Sequence, residues 1–112
     1  MSSPDLGGAG LDPAPVFAAL GDRTRLSLLM KLSDGRMRSI AKLSADTALT
    51  RQAITKHLRV LEKAGLVSST RSGRESQFAY QPEPITEVRS YLDAVSAQWD
   101  DALSRLRAFV ED

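Results

Sequence analysis

The chain has 112 residues, 42% of them hydrophobic and 26% charged, with no cysteine, one histidine and a formal net charge of +1. That length suits a single globular domain with one modest core. Without thiols there can be no disulfide, thiolate metal site or cysteine nucleophile, and a lone His57 leaves a zinc site or a base–nucleophile pair short of partners.

The opening "MSSPDLGGAGLDPAP" has neither a basic start nor an apolar segment. It does not read as a secretory signal, and a cytoplasmic protein is expected. Residues 1–13 are Gly-, Ser- and Pro-rich and are expected to form a disordered tail. "GGAG" lacks the preceding strand and following Gly-Lys-Ser/Thr of a phosphate loop. No apolar run approaches the roughly 18 residues of a membrane span.

A short helix, "PVFAAL", is predicted from Pro15 to Gly21. "DRTRLSLLMKLSDG" reads as a second, capped by Asp22 and ended near Gly35, with Leu26, Leu29, Met30 and Leu32 turned inward. A third, shorter helix follows in "RSIAKLSADTALT", with Ser39 as N-cap and Ile40 and Leu43 buried. After a connection over Asp46 to Leu49, Thr50 caps a fourth helix that runs to about Ala64 and closes at Gly65. "LVSSTRSGRESQFAY" then changes period to that of two short strands joined by "RSGRE". Pro84 opens a last helix reaching Phe109 or Val110, and no internal repeat is visible.

The small net charge conceals a segregation. From Arg23 to Arg74 there are twelve Lys/Arg against three Asp/Glu, a local balance of +9; the remainder carries three against eleven, or −8, and the two sum to +1. Such asymmetry points to a nucleic-acid face on an acid-balanced body, the plainer alternative being a solvated basic surface. The fourth helix sharpens the choice. With Ile54 set at zero and about 100° per residue, Leu58 and Leu61 fall within about 40° of it, while Gln52, Thr55, Lys56, Arg59 and Lys63 gather at about 100° to 200°. Glu62, the helix's only acid, lies at the margin.

Two short helices joined by a tight turn, the second basic on its outer face, form a helix-turn-helix candidate. Arg51, Gln52, Thr55 and Lys56, near the start of that helix, are placed for base edges in the major groove. Arg59 and Lys63, further along, suit phosphates. Arg71 and Arg74 flank the hairpin tip, where a wing would project beside the groove. His57, about 60° from Ile54, is read as a packed structural histidine and not a ligand.

In the last helix, apolar residues recur at Ile85, Val88, Leu92, Val95, Trp99, Ala102, Leu106 and Phe109, with spacings 3, 4, 3, 4, 3, 4 and 3. This is a heptad seam. A helix of that length, about 40 Å, exceeds what one small core can cover. The simplest partner is the same helix of a second chain. The expected dimer interface comprises Val16, Phe17, Leu20, Ile85, Val88, Leu92, Val95, Trp99 and Leu106. Asp100, Asp101, Glu111 and Asp112 read as solvated helix faces. Phe17, Tyr91 and Trp99 could line an effector pocket at that interface, although aromatics at helical spacing are more often core.

"ALGDRTRLSLLMKLSDG", "SIAKLS", "ALTRQAITKHLRVLEKAGLV" and "RSGRESQFAY" together resemble the ArsR family of bacterial winged-helix repressors. The resemblance runs from about Val16 to Trp99, with "LGDRTR" and "KHLRVLEKAGLV" its most specific parts. It implies a homodimer that binds an imperfect palindromic operator in double-stranded DNA and represses nearby genes until an effector releases it. Many such repressors sense metals through cysteines in the third helix or through Asp and His on the last. Here the third helix reads "RMRSIAKLS", and the last offers Asp93, Asp100 and Asp101 without histidine. No metal or cofactor is therefore expected. Ala48 stands where such turns commonly place Gly, a cost if the position needs a positive φ.

The expected architecture is mainly α with a small two-stranded β-wing: a five-helix winged helix-turn-helix dimerising through its terminal helices. Residues 14–83 would form the DNA-binding domain and 84–112 the dimerisation helix of the same compact domain. The alternative is a winged-helix module that binds protein and not DNA. Without a nucleophile–base pair, metal site or cofactor motif, the chain does not read as an enzyme.

Overall fold

The computed structural model describes residues 12–111, so most of the expected tail, "GGAG" included, lies outside the described residues. The chain order is α1 (Ala14–Leu20), α2 (Arg23–Leu32), β1 (Arg38–Ser39), α3 (Ile40–Ser44), α4 (Arg51–Lys63), β2 (Val67–Ser72), β3 (Glu75–Tyr80) and α5 (Glu83–Glu111). The five helices and the hairpin match the expected winged architecture. No described helix is long and apolar enough to cross a membrane.

Helix boundaries follow local chemistry. The side chains of Asp22, Ser39 and Thr50 accept hydrogen bonds from the amides of Arg25, Lys42 and Ala53, each satisfying an orphan donor at a helix start. α4 ends in a Schellman arrangement: Gly65, at φ +78°, donates to the Glu62 carbonyl and Leu66 donates to that of Leu61. The α3–α4 turn is organised by Thr47, whose hydroxyl donates to the Ser44 carbonyl and accepts from the Leu49 amide. Ala48 carries no strain, because no described non-glycine residue has a positive φ.

The sheet has three antiparallel strands in the order β1-β3-β2, one more than the expected pair. β1 is only two residues long, and its Ser39 is also the α3 cap, so no alternation announces it. β2 and β3 pair from Val67 with Tyr80 to Ser72 with Glu75, leaving Gly73 and Arg74 at the turn. Gly73 sits at φ +62° in the first turn position, the place of glycine in a II′ hairpin.

The core lies between α2, α3, α4 and the sheet. Leu28, Leu32, Leu43, Ile54, Leu58, Leu61, Leu66 and Phe78 are its large fully buried members. α2 departs from expectation. Leu28, Leu29 and Leu32 face inward, whereas Leu26 and Met30 are 47% and 72% exposed. The apolar residues of this helix span about 200° of its circumference, too wide an arc for periodicity to choose the buried side. Arg25 makes the choice. It donates through Nε to the Ala19 carbonyl (2.7 Å) and through Nη2 to that of Ala18 (3.2 Å), which rotates Leu28 under the core. Its Nη1 lies 3.3 Å from Nδ1 of His57, itself 3.7 Å from an Asp22 oxygen. His57 thus belongs to a polar joint between α1, α2 and α4.

α5 leaves the body after its first turns, and the molecule measures 67 × 30 × 26 Å. Val88 is its one buried residue. Among the expected dimer contacts, Val16 and Val88 are committed to their own protomer's core, with Leu20 and Ile85 packed on its edge. Phe17 meets Tyr91 edge-on, ring centres 6.0 Å apart. Leu92, Trp99 and Leu106 stand exposed, joined by Leu103, Phe109 and Val110. Leu103 and Val110 fall within about 40° of Trp99 and so widen the seam.

The rotation of α2 is directly testable. Leu28→Ala should cost about 2–5 kcal/mol of unfolding free energy. Met30→Ala should change it by about 0.5 kcal/mol or less. Equal losses in urea titrations would contradict the described packing.

Candidate nucleic-acid interface

α4 is held by its apolar side. Ile54, Leu58 and Leu61 have no exposed surface, so the helix cannot turn about its axis without dragging leucine into water. The opposite face is thereby presented outward: Arg51, Gln52, Lys56, Arg59 and Lys63 are exposed and Thr55 is half-buried. The Thr55 hydroxyl donates to the Arg51 carbonyl at 2.7 Å, leaving its oxygen lone pairs for a partner.

Five of the eight residues expected to bind DNA converge. Arg51, Gln52, Thr55 and Lys56 from α4 and Arg74 from the hairpin tip line one open groove of about 670 Å³. Its remaining wall is Ser39, Ile40 and Ala41 at the start of α3 with Glu75 and Ser76 of β3. Arg51, Lys56, Lys63, Arg71 and Arg74 make no ion pair among the described residues. The α3 contribution was missed from sequence, as was a neighbouring shallow basic depression formed by Arg36, Met37, Arg38, Ser39 and Lys42. The charge count over residues 23–74 contained these side chains, but no periodicity placed them beside α4.

The other three residues stand apart. Lys63 is exposed in the last turn of α4. Arg71 pairs with Ser76 across the hairpin, on the face it shares with Ser69 and Phe78. Arg59 differs most. Its guanidinium donates to Glu62 at 2.7 Å and lies 5.5 Å from the ring centre of Phe78, with half its side chain still exposed. Glu62 in turn accepts from the Ser69 hydroxyl at 2.6 Å. These contacts tie α4 to β2, giving Arg59 a bracing role that sequence alone did not show. Arg38 is likewise engaged within the protein: it donates twice to Asp34 and, with the Arg36 amide, holds that carboxyl far below the usual range.

The comparisons with known proteins agree. Residues 22–69 match the bacterial regulatory protein, arsR family, model. An uncharacterized helix-turn-helix type transcriptional regulator of Bacillus subtilis, YuzN, is 42% identical over 79 residues, which cover 65% of this chain and 86% of that protein. The structure of an ArsR-like transcriptional regulator from Rhodococcus is similar with a TM-score of 0.76 and 34% identity, over 91% of this chain and 95% of that one. The chain belongs to the ArsR family. It is a DNA-binding helix-turn-helix transcriptional regulator and not an enzyme.

In this ArsR-family protein the brace between α4 and the wing has a pH signature. The Ser69 hydroxyl, and after it the Arg59 guanidinium, hold the Glu62 carboxyl below its ordinary value of 4.5. As pH falls the unfolded chain takes up this proton first, so the stabilisation is complete above pH 4.5 and is lost as pH drops through the depressed folded value. Glu62→Gln should therefore lower the urea midpoint at neutral pH, with the gap to the native sequence narrowing in acid. A pH-independent gap would show that the ion pair is not responsible.

Proposed function

We propose that the protein is a homodimeric, sequence-specific repressor that grips an imperfect palindromic operator through two copies of α4. The convergence of Arg51, Gln52, Thr55, Lys56 and Arg74 on one groove carries this reading. An α-helix fits the major groove of B-DNA, and the wing stands beside it, so a phosphate strand lodged between the two meets cations from both sides. Arg51, Gln52, Thr55 and Lys56 then read bases, while Lys63, Arg71 and Arg74 hold phosphates. Arg59 positions α4 through Glu62 and uses its exposed edge for phosphate.

The second copy is argued from α5. Trp99, Leu106 and Phe109 are 64%, 58% and 81% exposed along one 29-residue helix. A contiguous apolar stripe of this kind asks for cover. The same stripe of a twin chain supplies it in the heptad register, with Phe17, Leu92 and Val95 extending the contact. Residues 14–83 are thus the DNA-binding part and 84–112 the dimerisation helix, with the protein at work in the cytoplasm. The donor set supports a non-metal signal: there is no cysteine, and the one histidine has its Nδ1 beside Arg25 in the joint between α1, α2 and α4.

Two outcomes follow. Affinity for an operator selected from random DNA should fall with salt on a steep log–log slope, each phosphate contact contributing about −0.9. Lys63→Ala should flatten that slope by about 1 and weaken all sequences alike, whereas Gln52→Ala should cost about 1–3 kcal/mol on the selected site alone. Uniform loss with Gln52→Ala would refute its base-reading role. Trp99→Asp should yield a monomer in sedimentation and weaken operator binding by about a hundredfold or more, because the half-sites are no longer linked. A dimer surviving that change would move the interface elsewhere.

A further inference from the structure

Away from the DNA face, α1, the end of α4 and the start of α5 line a partly open pocket of about 130 Å³. Its walls include Val16, Ala64, Pro84, Val88 and Tyr91, and Glu87 also lines it. The Oε2 atom of Glu87 is buried and has no hydrogen-bond partner among the described residues. A buried acceptor without a donor costs free energy that a bound donor would recover. An apolar cavity of about 150 Å³ accommodates benzene; this one is slightly smaller but partly open to solvent, so it can seat a compact apolar group carrying a single donor with part of the group at its mouth.

We propose that this pocket is an effector site for a small apolar amine, whose ring or branched alkyl group packs on Val16, Pro84 and Val88 while its ammonium donates to Glu87. An amine fits better than an alcohol or a hydrocarbon. Its charge-assisted bond to a carboxyl oxygen is about twice as strong as a neutral one, and a hydrocarbon leaves Oε2 unpaired. The pocket also borders the recognition helix. Ala64 is the C-cap of α4, and a Cβ built on the adjacent Gly65 would lie 3.5 Å from the Pro84 ring. A ligand wedged here presses on the end of α4 and the root of α5 together, and so couples to DNA binding. That coupling rests on the DNA-binding reading above; occupancy of the pocket does not.

The test uses the full chain and three probes of one shape: benzylamine, benzyl alcohol and toluene. Without DNA, amide and methyl NMR titrations should show saturable benzylamine binding with shifts centred on Val16, Ala64, Val88 and Tyr91. The other two probes should bind at least about fivefold more weakly. Glu87→Gln, folded by circular dichroism, should lose about tenfold for benzylamine and little for toluene. Ala64→Met, filling the pocket, should abolish binding of all three. In a DNA titration, saturating benzylamine should weaken operator binding at least about fivefold, and DNA should weaken benzylamine binding by the same factor. The effector site is refuted if benzylamine does not bind or binds Glu87→Gln equally well. It is also refuted if benzylamine binds only after removal of residues 1–11, which would make the pocket a seat for the chain's own segment. Amine binding with no change in operator affinity, while operator binding itself is intact, would overturn the effector role and leave the DNA-binding reading standing.

Discussion

The burial of Ile54, Leu58 and Leu61 fixes the orientation of α4, and the functional surface depends on it. Each fully buried aliphatic side chain contributes about 1.5–3 kcal/mol. Repulsion among exposed basic side chains on the opposite face works against this, but at about 4 Å in bulk water one pair costs only about 1 kcal/mol, and salt screens it further. Hydrophobic burial therefore wins and holds Arg51, Gln52, Lys56 and Lys63 outward as a side effect. The helix stores electrostatic free energy that a polyanion can release on binding.

Polar contacts do a different job, setting angles between elements. Arg25 ties the last carbonyls of α1 to α2 and reaches His57 on α4, while Asp22 caps α2 beside the same histidine. Toward the C-terminal end of α4, Glu62 joins Arg59 to Ser69, and Phe78 lies beneath the guanidinium. These two joints bracket the recognition helix, one toward the N-terminal helices and one toward the wing. A hydrophobic core alone is non-directional and would tolerate small rotations; directed hydrogen bonds at the middle and the C-terminal end of α4 narrow them.

This division of labour explains what the sequence made legible. Caps at Asp22, Ser39 and Thr50, the Gly65 stop, the Gly73 turn and the amphipathic face of α4 are local or periodic features, and each was readable from a few neighbouring residues. The facing of α2 was not, because Leu26, Leu28, Leu29, Met30 and Leu32 cover more than half of the helix circumference and the deciding contact runs from Arg25 to α1. β1 escaped notice because two residues carry no period and its pairing with Phe78 and Gln77 is distant in sequence. Five of the eight expected DNA contacts were brought into one groove because they lie on α4 or at the adjacent tip. The internal partners of Arg59 could not be inferred from α4 alone, since they depend on where β2 and β3 return.

In the proposed dimer, the division within α5 would tie assembly to signal. Its N-terminal turns are bound into the protomer through Ile85 and Val88, whereas beyond Leu92 its large apolar side chains face outward. Such a helix of 29 residues is about 43 Å long, and a swing of about 5° at its root would displace the tip by about 4 Å. In a two-fold assembly held along that stripe, the tip is the fixed part. The same swing would instead reorient the body and the α4 it carries. The distance between two recognition helices must match about one DNA turn, roughly 34 Å. The approach of Pro84 to the end of α4, where a Cβ added at Gly65 would lie 3.5 Å from the proline ring, would in the proposed dimer be a sensitive place for control, because it brings the end of the helix that reads DNA to the root of the one that would set the spacing.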